Sequence, residues 1–98
     1  MEDLELKVKL SNQSFVEAGG KAVYPDLEIA GVVFGKLDKG ENSGHLWNFD
    51  RVNKKLDLQA ASMDATHVFG VEYLFRPDEF RGENLYCAIG TAYKPTKS

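Results

Sequence analysis

Two segments near the C-terminal end, residues 66–75 and 85–94, constrain the fold more than any other part of the chain. Each is rich in β-branched and aromatic residues, and the polar run between them carries Pro77 and Gly82. That pattern predicts two antiparallel strands joined by a polar loop over 76–84, long for a hairpin. Side chains alternate between the faces of a strand. The second strand therefore sets Leu85, Cys87, Ile89, Thr91 and Tyr93 on one face, and Tyr86, Ala88, Gly90 and Ala92 on the other. The second face is mostly small, which lets a helix pack close. In the first strand His67, Phe69, Val71, Tyr73 and Phe75 share the face away from that helix, and Val68, Gly70, Glu72 and Leu74 share the other.

The helix itself is predicted over 46–63. Phe49, Val52, Leu56, Ala60 and Met63 recur at spacings of three and four, so they form one stripe. Asp64 falls just past the end, where a left-handed residue is favoured. Upstream, Leu4, Leu6, Val8 and Leu10 alternate with charged residues, which reads as an antiparallel or edge strand whose lysines discourage pairing with other chains. Gly19-Gly20 signals a turn, and Ala22 to Tyr24 a short strand stopped by Pro25. Residues 27–34 are almost wholly apolar, which suits a central strand covered on both faces. The run 36–44 reads as a polar loop. The whole is expected to be one α+β domain over 1–98, an antiparallel-rich sheet of four to five strands with one main helix. Residues 1–26 form an N-terminal strand and connection, 27–94 a βαββ core and 95–98 a tail.

Composition excludes several function classes. Lys plus Arg number 12 against 15 Asp plus Glu, with the signs interspersed and no basic stripe, so no nucleic-acid partner is expected. The single cysteine, Cys87, allows no internal disulfide and fits a reducing compartment. The first residues are acidic and lack an apolar core, so they do not read as a signal peptide, and no apolar run approaches the ~20 residues that span a bilayer. The expectation is a soluble cytoplasmic protein without a membrane partner.

The order strand, amphipathic helix, strand, hairpin, strand, closing on Gly90-Thr91-Ala92-Tyr93, resembles the YbjQ-type family, which is labelled heavy-metal-binding. It is also similar to the globular part of the RcsF-type envelope lipoproteins. The resemblance covers residues 27–94 and is carried by Ile29-Ala-Gly-Val-Val33, Ala60-Ala61, Ala65-Thr66-His67-Val68 and the closing tetrapeptide. The chain departs from the pattern in having Asp64 where the family usually has Gly, and in lacking the cysteines of the lipoprotein relatives. The resemblance implies a βαββ domain and, for the YbjQ branch, ring-like homo-oligomers. It implies no established reaction.

The residues themselves argue against chemistry. Metal ligands softer than carboxylate are limited to His45, His67 and Cys87. If Phe75 pairs with Leu85, His67 lies opposite Tyr93 and Cys87 opposite Tyr73. His67 and Cys87 are then six residues apart along the ladder, roughly 20 Å at ~3.3 Å per residue, and cannot share an ion in one subunit. The same distance separates Cys87 from a histidine base. Glu72 falls on the helix face, where it pairs with Lys54 or Lys55 or is displaced to the sheet edge. No catalytic residue, metal or cofactor is expected.

Aromatics remain. Trp47 lies off the helix stripe, and Phe69, Tyr73 and Phe75 form a row on the face away from the helix. Such a row is costly to leave wet, so either the N-terminal strand and its neighbours cover it or a second subunit does. Trp47, Phe69, Tyr73 and Phe75 are accordingly the candidate packing, interface or binding residues. The expected function is a small non-enzymatic binding or scaffold domain that forms a homo-oligomer. The alternative is a metal- or small-molecule-dependent protein or small enzyme with a site between subunits, built from His45, His67, Glu72 or Cys87.

Overall fold

The computed structural model describes residues 5–37, 45–78 and 83–96, with 45–48, 75–78 and 83–85 described in their backbone alone. In chain order the elements are β1 (Lys9–Leu10), α1 (Gly20–Val23), β2 (Leu27–Lys36), α2 (His45–Ser62), β3 (His67–Asp78) and β4 (Glu83–Pro95). The four strands form one mixed sheet in the order β1-β3-β4-β2, and α2 packs across one face. This is the expected α+β architecture, a βαββ core with an N-terminal strand added at the edge.

α2 lies where the apolar spacing places it. Val52, Leu56 and Ala60 are fully buried, against Val33, Val68 and the small residues Ala88 and Ala92 of β4. Removing each Val or Leu side chain from water contributes about 1.5–3 kcal/mol. Past Ser62 the chain closes the helix with two backbone bonds, Asp64 N–H to the Ala61 carbonyl (3.1 Å) and Ala65 N–H to the Ala60 carbonyl (3.0 Å). Asp64 takes φ 61°, the left-handed residue this closure requires. Asp, with its short polar side chain, is among the residues that tolerate it.

β3 is not regular. His67 pairs with Tyr93 and Phe69 with Thr91, as the sequence predicts, but the next pair is Glu72 with Ile89. Two residues of β3, Gly70 and Val71, thus oppose one of β4. Gly70 has φ 67°, which its missing side chain permits. The bulge shifts everything beyond it by one residue. Val71 and Tyr73 join the helix face and Glu72 and Leu74 move to the outer face, so the expected row of Phe69, Tyr73 and Phe75 is broken. Cys87 faces Leu74 rather than Tyr73. Glu72 therefore has no place beside Lys54, whose ammonium lies 3.3 Å from Asp57 instead.

Four further expectations change. β2 is an edge strand, with only its helix face covered. Residues 22–24 are not a strand, because Ala22 and Val23 belong to α1. β3 and β4 continue to Asp78 and from Glu83, so the connection is shorter than 76–84. Pro77 lies near the end of β3, beyond the part of that strand that β1 and the Ser11 and Gln13 carbonyls reach among the described residues. Finally, of the alternating stretch 4–10, in which Leu4 lies outside the described residues, residues 5–10 form strand only at Lys9 and Leu10, pairing parallel to β3. The reason is Asp57, fully buried on α2, whose Oδ1 accepts the N–H groups of both Lys7 and Val8 at 2.7 Å. Successive N–H groups of a strand point to opposite sides. Two that converge on one oxygen cannot belong to an extended strand.

Candidate interaction surface

The side of the sheet away from α2, its outer face, divides into two regions. Near the start of β3 it is covered by the segment between β1 and β2. Phe15 stacks on Tyr93 with ring centres 4.4 Å apart and meets Phe69 edge-on at 5.5 Å. Tyr24 meets both His67 and Phe69 at 5.3 Å. Phe69 is left only 3% exposed.

The local sequence holds this cover in shape. In Ser14-Phe-Val-Glu17 the Glu17 N–H donates to the Ser14 hydroxyl (3.1 Å) and the Ser14 N–H to the Glu17 carboxylate (2.8 Å), a reciprocal helix start. These bonds to Ser14, the backbone one foremost, hold the Glu17 carboxyl below its usual range. The single turn ends as α2 does. Gly19 N–H donates to Val16 (3.1 Å) and Gly20 N–H to Phe15 (2.8 Å), and Gly19 takes φ 112°. The segment is fastened to the bulge as well, since the Gln13 and Ser11 carbonyls accept the Gly70 and Val71 N–H groups at 2.7 and 3.0 Å. His67 sits within this cluster, its Nδ1 2.8 Å from the Thr66 hydroxyl. Burial, and then the charge of Lys9, lowers its pKa.

Among the described residues no segment covers the rest of the outer face, the bare region. Val32 and Phe34 of β2 are 61% and 46% exposed, and Leu74 and Ile89 are each 45% exposed. Strand pairing makes these residues contiguous. Phe34, Ile89 and Glu72 lie in one row across the sheet, and Lys36, Cys87 and Leu74 in the next. Phe34, Leu74, Ile89, Glu72 and Cys87 line a depression of about 350 Å³. Below them Ile29 of β2 is also exposed. Exposed apolar side chains scattered singly are ordinary, whereas these form a contiguous patch with a charge at each side.

Of the residues singled out from the sequence, Phe69 is packed under Phe15. Tyr73 lies on the helix face, its ring 4.7 Å from Phe49 and its hydroxyl donating to Asn53 Oδ1 at 2.6 Å. Burial raises the Tyr73 pKa, and the Asn53 bond opposes that in part. Trp47 and Phe75 have side chains outside the described residues, as does His45; the Phe75 backbone pairs with Tyr86. Glu72 and Cys87 share the bare region, whereas His67 stands on the far side of the bulge under Tyr24. Among the described residues no three His, Cys, Asp or Glu side chains group to hold a metal ion. The Cys87 thiol is half-buried, 3.8 Å from the Leu74 carbonyl.

Sequence reasoning missed Val32, Phe34, Leu74, Phe15 and Asp57. The run 27–34 carried the first two, but an apolar run does not say whether a strand lies at the centre or the edge. Leu74 was hidden by the bulge. Asp57 adjoins Leu56 on the helix stripe, which was the available signal. The chain matches no protein-family model and no curated protein sequence. Among the described residues no helix is long and apolar enough to cross a membrane.

Proposed function

We propose that this chain is a small non-enzymatic binding or scaffold domain that associates with itself through the bare region of its outer sheet face. The supporting observation is the contiguous exposure of Val32, Phe34, Leu74 and Ile89 beside an aromatic cluster that the same chain covers. Association removes such a patch from water at roughly 25 cal/mol per Å² of apolar area. The YbjQ-type resemblance agrees with a self-associating domain, and the lone thiol with a cytoplasmic setting. Sedimentation velocity over a range of concentrations tests this. Wild type is expected to associate, and Ile89→Lys to stay monomeric with an unchanged circular dichroism spectrum. A wild-type monomer at every concentration overturns the proposal.

A second reading is carried by the depression of about 350 Å³, large enough for a small ligand held between subunits. Native mass spectrometry separates the two, because a stoichiometric adduct on the purified protein favours the ligand.

A further inference from the structure

We infer that the occupant of the bare face is a second copy of this chain, related by a two-fold axis running along β4; the inference rests on the self-association proposed above. Charge distribution is the first support. Lys36 lies on β2 and Glu72 on β3, one at each side of β4, where Cys87 and Ile89 supply the apolar middle. No ion pair joins either one to a described residue. A face that is positive on one flank and negative on the other repels itself in some orientations and complements itself in others. Rotation about β4 exchanges the flanks. It sets β2 of one copy over β3 of the other, bringing each Lys36 to the neighbourhood of the other copy's Glu72 and Ile89 to the axis.

Relief is the second support. The covering segment stands over β3 and β4, since the rings that Phe15 and Tyr24 meet in the sheet are Phe69, His67 and Tyr93. The neighbouring strip of β2 carries exposed Ile29 and Val32. The same rotation lays the part of the raised corner that stands over β3 of one copy above this bare strip of the other, and brings the parts over β4 together at the axis. Val16, 81% exposed on the raised corner, supplies an apolar contact from that side. A two-fold interface must be self-complementary, and here the charges, with the raised strip over β3 facing the bare strip of β2, meet that demand under one operation.

The test is a charge exchange across the axis. Glu72→Lys places two cations on the face and Lys36→Glu two anions, and both positions are exposed, so neither variant is expected to unfold. Each single variant is expected to weaken association roughly tenfold, since two rim pairs turn from attraction to repulsion. The two single variants mixed together, one isotope-labelled, are expected to form a mixed dimer by native mass spectrometry. The doubly exchanged chain is expected to recover wild-type association. Association of the wild type with no response to either exchange overturns the two-fold arrangement and leaves self-association standing. An odd-numbered ring overturns it too. A wild-type monomer overturns both.

Discussion

The two regions of the outer face are built from the same strands and from similar side chains, yet one is covered and the other bare. Phe69 and Tyr93 lie under Phe15, while two rows further along the same strands Ile89 and Leu74 are exposed. The strands do not make this difference. The segment between β1 and β2 makes it, through two fastenings: the Ser11 and Gln13 carbonyls at the bulge, and a single turn capped at both ends, while just before β1 the Asp57 carboxylate anchors Lys7 and Val8. An apolar strand face thus demands a cover without naming it. The demand is met within the chain only where neighbouring backbone groups can anchor one.

The sharpest way to break the comparison is to truncate one residue from each region. Phe69→Ala is expected to cost about 3–5 kcal/mol, because it empties a site lined by Phe15, Tyr24, His67 and Tyr93. Ile89→Ser is expected to change the stability of the monomer by no more than about 0.5 kcal/mol while association is lost. Urea unfolding at a concentration low enough to keep both variants monomeric checks this, since association would otherwise add to apparent stability. Equal losses would erase the distinction between the regions. Next in size is Asp57→Ala, expected to cost about 2–4 kcal/mol by leaving the Val8 N–H buried and unpaired and the Lys7 N–H without its acceptor. Hydrogen exchange at the Gly70 and Val71 amides is expected to quicken in the same variant, because the segment that shields them is released at its root. Asp57→Asn keeps an acceptor oxygen and is expected to lose less.

Much of the architecture was legible in the sequence, and the reasons differ by element. α2 was legible because Val52, Leu56 and Ala60 repeat at helical spacing and all three are buried. The two faces of β4 were legible because strict alternation survives along it. β3 was legible only as far as Phe69. A bulge inserts one residue without altering the alternating pattern, so Gly70 read as an ordinary face residue. Tyr73, Glu72 and Leu74 were consequently assigned to the wrong sides. The strand over residues 4–10 failed for a different reason. Its alternation is real, but a carboxylate about fifty residues away takes its N–H groups, and that contact is tertiary. The bare region was therefore only partly visible: Cys87 and Ile89 were placed on the outer face, while Leu74 and the edge position of β2 were not.

A smaller perturbation tests the bulge itself, which sets where the covered region stops. Gly70→Ala places a Cβ on a residue with φ 67° and is expected to cost about 1–2 kcal/mol. Gly70→Asn is expected to cost less, because asparagine tolerates the left-handed region. If both substitutions are neutral in thermal unfolding, the bulge does not depend on glycine and its place as the boundary is weakened.

The mildest probe is pH, and it reports on the covered region alone. Burial and the Lys9 charge hold the His67 pKa below the usual imidazole value near 6.5. The unfolded chain then takes up a proton more readily than the folded one. Stability from this residue is fully present above about pH 6.5 and is lost as pH falls through the lower folded value. His67→Phe keeps a ring against Phe69 and removes the titration. The carboxylates common to both proteins cancel in the difference between their unfolding free energies. That difference is expected to shift in favour of the variant as pH falls from about 7 to about 5, and to stay level above pH 7. A level difference across the whole range would mean that His67 titrates as freely as it does in the unfolded chain. Tyr24 would then be a looser cover than Phe15, and the covered region would reach less far along β3 than the ring contacts indicate.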